Sequence, residues 1–151
     1  MRKLFIYYSL SGNGDFVASK FQENGYEIHK LLTKKKPPKL FFFQILKYGY
    51  LSMKEYEEEL TNIDIDLTVY DEIVVGSPIW NDRVSTPINT LISILLDIKK
   101  SPRFVFYAGG DKVVKAVERV NKLFNYPSIT ILKQPKNNPF NKRITSRLLE
   151  K

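Results

Sequence analysis

Three short runs constrain the fold of this chain more than any other feature. Lys3 to Tyr8, Ile73 to Gly76 and Phe104 to Tyr107 are rich in β-branched and aromatic residues and scarcely alternate between apolar and polar. A strand with one face in water alternates, whereas a run that does not is buried on both faces, as in a parallel sheet covered on both sides. A fourth run, Ile129 to Leu132, and a weaker one, Tyr26 to Leu31, bring the expected strands to five. Helical patterns lie between them. Pro87 to Leu96 sets Ile88, Leu91, Ile92, Leu95 and Leu96 on one face, with Pro87 suited to the first helical position and Ser85 or Thr86 as a cap. Val113, Ala116, Val117, Val120 and Leu123 repeat that spacing, and Phe140, Ile144 and Leu148 offer a terminal helix. Strands alternating with helices require right-handed crossovers and an open α/β sheet in three layers. For five strands the economical order is 2-1-3-4-5. With 151 residues, 43% of them hydrophobic, residues 1–151 read as a single domain.

Composition narrows the chemistry. The absence of cysteine excludes disulfides, thiolate catalysis and cysteine-bound metal, so a redox role needs an organic cofactor. No carboxylate pair, Ser/His/Asp set or metal-ligand spacing stands out, and hydrolysis has no visible support. The single histidine, His29, falls on the weak second strand and reads as solvent-facing or satisfied. No apolar run approaches the length of a membrane span, so the expected location is cytoplasmic. The formal charge of +8 favours acidic partners. Nucleic acid is not among the expected ones, since the basic residues are dispersed and carry no recognised motif.

In a parallel sheet every strand ends at the same edge, so the loops after strands one, three and four meet there. The first, Ser9, Leu10, Ser11, Gly12, Asn13 and Gly14, joins a strand directly to a helix. Free backbone N–H groups and hydroxyls at the positive end of that helix are shaped to hold a phosphate. It lacks the Lys-Ser/Thr of a Walker A loop and the spacing of a dinucleotide fingerprint. The second, Ser77, Pro78, Ile79, Trp80, Asn81, Asp82 and Arg83, contains the only tryptophan. The third, Tyr107, Ala108, Gly109, Gly110, Asp111 and Lys112, has two glycines that let backbone approach a planar ligand. A phosphorylated flat ring fits such a pocket.

These three loops, in this order, resemble those of the flavodoxin family, and the resemblance covers nearly the whole chain. It implies a flavodoxin-like three-layer fold, a five-stranded parallel sheet in the order 2-1-3-4-5 with helices on both faces. It also implies non-covalently bound FMN and electron transport between larger proteins. By that match the hydroxyls of Ser9 and Ser11 and the backbone of Leu10, Gly12, Asn13 and Gly14 hold the phosphate. Trp80 stacks on the flavin, Ser77, Pro78 and Ile79 lead into it, and Asn81 and Asp82 border the N5 edge. Tyr107, Ala108, Gly109, Gly110 and Asp111 flank the other side of the ring. The chain departs from the pattern in two places: Gly14 stands where the family commonly has a hydroxyl residue, and Asn81 and Asp82 where it often has glycine. The basic charge is also unlike the acidic electron carriers of the family. It leaves three readings: a carrier whose redox partner has an acidic docking surface, an NAD(P)H:quinone-type reductase, or a flavin-free basic scaffold.

The stretch from Thr33 to Leu60 is the least regular. Lys34 to Lys36 and the two prolines after them read as a solvated loop, followed by one or two helices with Phe41, Phe42 and Phe43 in the core. The acidic run Glu55, Glu57, Glu58 and Glu59 reads as a helix face. Taken together, the lysines and phenylalanines form a second, less favoured pattern, a device for contact with a membrane surface or a partner.

Overall fold

Leu4, Ile6 and Tyr8 pack on one face of the central sheet and Phe5 and Tyr7 on the other, and all five are buried. The same division by parity holds for Ile73 and Val75 against Val74, and for Phe104 and Phe106 against Val105 and Tyr107. This is why these runs do not alternate in sequence: both sides of each strand are core. The structure, a computed structural model, describes residues 1–138; the expected helix through Phe140, Ile144 and Leu148 lies outside them.

Five parallel strands form the sheet: β1 (Lys3–Tyr7), β2 (Glu27–Lys30), β3 (Glu72–Trp80), β5 (Arg103–Ala108) and β6 (Ile129–Lys133), in the order β2-β1-β3-β5-β6. Between β3 and β5 in the chain, the two-residue β4 (Arg83–Val84) folds back antiparallel on the end of β3. Set aside that hairpin and the order is the expected 2-1-3-4-5. Helix α1 (Asn13–Glu23) covers one face through Val17, Ala18 and Phe21. The helices α3 (Thr86–Asp97) and α4 (Val114–Phe124) cover the other through Ile88, Leu91, Ile92 and Leu95, and through Ala116, Val120 and Phe124.

Several local expectations are corrected. The α3 helix opens on Thr86, so Pro87 is its second residue, and its N-cap Ser85 makes no side-chain capping bond. Leu96 and Leu123 fall at the margins of their helices and are partly open to solvent, while Phe124 takes the buried place expected of Leu123. Residues 55–59 are not helical: Glu55 sits in a turn at φ 53°, residues 56–59 take no regular secondary structure, and Glu58 turns inward. Its buried carboxylate accepts a hydrogen bond from Thr86 Oγ1 at 2.9 Å, at the positive end of α3.

The largest correction concerns α2 (Phe41–Met53), the single α-helix between β2 and β3 in the described chain, followed there by a one-turn 3-10 helix at Leu67–Val69. Phe41, Phe42 and Phe43 are not core: they are 73%, 65% and 54% exposed. The buried residues of this helix are Tyr48 and Ser52, one turn apart. Leu51 is half-buried beside them, and the remaining aliphatic, methionine and phenylalanine side chains of the helix are exposed.

Candidate functional site

The carboxyl edge of the sheet is built from β1 outward. After Tyr7 the chain turns through Ser9 to Gly12 and enters α1, with Gly12 as N-cap at φ 87°, a left-handed conformation that glycine adopts without strain. The N-cap residue has no side chain to cap the helix, and Ser9 takes that role: its buried Oγ accepts the N–H of Gly14 at 3.0 Å. The N–H groups of Ser11, Gly12 and Asn13 have no hydrogen-bond partner among the described residues. Asn13 Nδ2 donates to Ser11 Oγ at 3.2 Å, which fixes that hydroxyl over the turn.

Gly14 is set by packing. A Cβ there would lie 2.5 Å from the Tyr107 hydroxyl, 2.7 Å from Ser9 Cβ and 2.8 Å from Tyr7 Cδ2. No side chain fits, which is the physical reason for a glycine where the family pattern has a hydroxyl residue. The space is held by Tyr107, fully enclosed, whose hydroxyl donates to the Tyr8 carbonyl. Burial pushes the Tyr107 hydroxyl well above its ordinary titration range, so it stays a neutral donor. Beside it Asp15 is held below the ordinary carboxylate range. Burial acts against this, and the bonds from Lys30 at 2.8 Å and Tyr7 at 2.7 Å outweigh it.

The second segment is strand where a loop was expected. Ser77 and Pro78 continue β3 in the sheet opposite Phe106 and Tyr107 of β5, Ile79 and Trp80 carry it on against β4 alone, and Asn81 and Asp82, at φ 49° and 65°, form the two-residue turn into β4. Two consecutive left-handed residues are what a tight hairpin of this hand requires, and Asn and Asp tolerate them best among non-glycine residues. Asp82 also caps α4 from outside the helix, its Oδ1 and carbonyl accepting the N–H groups of Lys115 and Ala116 at 3.2 and 2.9 Å. Ser77 is fully buried, accepting from Ser85 N at 3.1 Å and pinning β3 to the start of α3.

Trp80 is half-buried, edge-on to Tyr8 with centroids 5.8 Å apart and tilted against Tyr48 at 4.7 Å. Tyr48 is buried with its hydroxyl unpartnered among the described residues, and burial together with nearby Glu58 pushes it up to about 12. Sequence reasoning missed this aromatic group, since nothing in the spacing of α2 shows which of its tyrosines turns inward.

The third segment divides in two. Tyr107 and Ala108 are buried strand residues, whereas Gly109, Gly110 and Asp111 are exposed, with open space where either glycine would carry a Cβ. The loop is tied to the end of β6 and the chain after it: Lys133 at the end of the strand pairs with Asp111 at 3.0 Å, and Gln134 N donates to the Ala108 carbonyl at 3.0 Å.

The same post-β6 segment supplies a residue that the sequence reading overlooked. Lys136 N donates to Asn13 Oδ1 at 3.2 Å, and Lys136 Nζ lies 3.4 Å from where a Cβ on Gly12 would be. A cation therefore sits over the phosphate turn. The signal was available: a fifth parallel strand must also end at this edge. His29 is satisfied as expected, its Nε2 2.6 Å from the Asn62 carbonyl.

The structure thus brings the Ser9 to Gly14 turn, Trp80 with its hairpin and the Gly109 to Asp111 loop to one edge, and it turns the side chains of Ser77, Tyr107 and Ala108 inward. This sheet order, with helices on both faces and its loops at the carboxyl edge, defines the flavodoxin-like fold. A protein from Bacteroides eggerthii DSM 20697, provisionally described as a flavoprotein, is similar over 99% of this chain and 96% of its own, with a TM-score of 0.75 at 16% identity. A flavoprotein from Lactobacillus acidophilus NCFM, solved in complex with FMN, gives 0.65 at 20% identity over 89% of this chain and 94% of that one. Oxidised flavodoxin 1 from Bacillus cereus gives 0.53 at 13% identity over 99% and 95%. No protein-family model and no curated sequence matches the chain.

Proposed function

We propose that this chain binds FMN non-covalently at the carboxyl edge of its sheet and carries electrons between partner proteins. One observation carries the proposal: the β1–α1 turn presents the N–H groups of Ser11, Gly12 and Asn13 at a helix N-terminus, with Lys136 above them. The residues present fit a phosphorylated planar ring. Ser11 and the backbone of Leu10, Gly12 and Asn13 would hold the phosphate, and Ser9 would orient that turn through its bond to Gly14. Trp80 and the backbone of Gly109 and Gly110 would wall the ring, with Asn81 and Asp82 at its rim. Ser77, Tyr107 and Ala108 could contribute only through backbone, because their side chains are committed to the core. When bound, FMN supplies one- and two-electron chemistry, which this cysteine-free chain cannot supply itself. The Lactobacillus flavoprotein solved with FMN lends support through its fold.

The test is a visible absorbance spectrum of the purified protein, then titration of the apoprotein with FMN and with riboflavin. Flavin bands with far tighter binding of FMN than of riboflavin are expected. A colourless protein indifferent to FMN would leave the fold standing and reject the cofactor. Steady NAD(P)H oxidation with a small acceptor and no partner protein would replace carriage with reductase activity.

A further inference from the structure

Helix α2 carries exposed apolar residues on both sides: Phe41 and Ile45 lie on the side of its buried residues yet are 73% and 54% exposed. At 100° per residue its buried Tyr48 and Ser52 share one side, and Phe42, Phe43, Leu46, Tyr50 and Met53 share the opposite one, each more than half exposed. An outward stripe of this size is not the scatter of single apolar residues normal to a protein surface. The charge around it has one sign. From Ile28 to Lys54 the sequence contains no Asp or Glu, while Lys34, Lys35, Lys36, Lys39, Lys47 and Lys54 precede, flank and follow the stripe. The acidic residues that come next are exposed but paired: Glu55 with Arg83 and Arg119, Glu57 with Ser93, and Glu59 with Lys34, which leaves Lys35, Lys36, Lys39, Lys47 and Lys54 as the basic rim. Lys54 lies over the Tyr50 ring at 4.7 Å and Lys47 over Tyr48 at 5.2 Å, laying their stems along the helix with the ammonium groups at its flanks.

We infer that α2 docks this protein on an anionic lipid surface, its Phe42–Met53 stripe entering the headgroup boundary and the surrounding lysines meeting lipid phosphates. A convex aromatic and aliphatic stripe with a basic rim has the composition of an interfacial helix. The helix is too short to span a bilayer, and among the described residues none is long and apolar enough to do so. Tyr48 on its inner side touches Trp80. Docking through α2 would therefore hold the carboxyl edge of the sheet beside the membrane. The inference stands without FMN, since it rests on α2 alone.

The experiment is flotation of the purified full chain with large unilamellar vesicles of phosphatidylcholine alone or mixed with phosphatidylglycerol. Binding to the anionic vesicles, weakened at least tenfold by raised salt or by pure phosphatidylcholine, is expected. The Phe42→Ser/Leu46→Ser variant should lower partitioning at least tenfold with its circular dichroism unchanged, since both side chains are exposed. The Lys35→Gln/Lys36→Gln/Lys39→Gln variant should bind anionic vesicles more than tenfold less and lose most of the salt dependence. No binding to anionic vesicles, or binding indifferent to the Phe42 and Leu46 changes, overturns the inference. A concentration-dependent dimer that Leu46→Ser abolishes, without vesicle binding, also overturns it and assigns the face to a second copy.

Discussion

Replacing Gly14 by alanine tests the packing that shapes the phosphate turn. The added methyl would sit 2.5, 2.7 and 2.8 Å from Tyr107 Oη, Ser9 Cβ and Tyr7 Cδ2, whereas comfortable non-bonded separations are roughly 3.5–4 Å. Relief therefore requires a shift of about 1 Å on three sides, and all three neighbours are buried. Overpacking of this kind costs about 1–3 kcal/mol. Displacing the Tyr107 hydroxyl from the Tyr8 carbonyl adds about 1 kcal/mol. Alanine returns up to about 1 kcal/mol in helix propensity, less at this end position. The net loss is then about 2 kcal/mol, read in urea unfolding and as a fall in Tm of about 4–8 °C for a domain of this size. Tyr107→Phe removes the nearest of the three atoms, so Gly14→Ala should cost about 1 kcal/mol less in that background. A Gly14→Ala protein as stable as the parent, or strict additivity with Tyr107→Phe, would falsify this account of the missing hydroxyl. Gly14→Ser should likewise destabilise the protein and fail to tighten phosphate binding.

Other outcomes follow from the same geometry. Trp80→Ala should weaken FMN binding by about 1–3 kcal/mol in a fluorescence titration and also lower stability, since it removes the contacts to Tyr8 and Tyr48; unchanged affinity would reject the stacking role. Lys136→Gln should weaken FMN binding by about 0.5–1 kcal/mol at low salt, and less as salt is added, while riboflavin binding stays as it was. Asp82→Ala should cost about 0.5–2 kcal/mol through the lost cap of α4, seen as a lower urea midpoint.

The pH profile has two flanks. Asp15 titrates below its ordinary range when folded, so its contribution is present above that range and is lost as pH falls, from about pH 5 downward. Tyr26 and Tyr48 are both pushed up to about 12, chiefly by burial, so the stability they contribute is complete below about pH 10 and is lost between pH 10 and 12. Tyrosinate absorbance and unfolding should therefore rise together on the alkaline side; free titration of these tyrosines without unfolding would contradict their burial.

How much of this was legible in the sequence differs by element. The runs at Lys3, Ile73 and Phe104 announced a parallel sheet because burial on both faces suppresses alternation within the strand itself. The Ser9 to Gly14 turn was readable as an anion site because its chemistry lies in consecutive residues at a helix start. Side-chain commitments were not readable. That Ser77 and Tyr107 turn inward, that Asp82 caps a helix some thirty residues away and that Lys136 reaches Gly12 depend on which segments the sheet order makes neighbours. The α2 helix shows the limit most plainly. Local sequence dictated an apolar helix there, and apolar helices are ordinarily buried. Only the tertiary structure shows that the body of the protein contacts Tyr48 and Ser52 while the phenylalanines face out, because burial is decided by what lies opposite a face and not by the face itself.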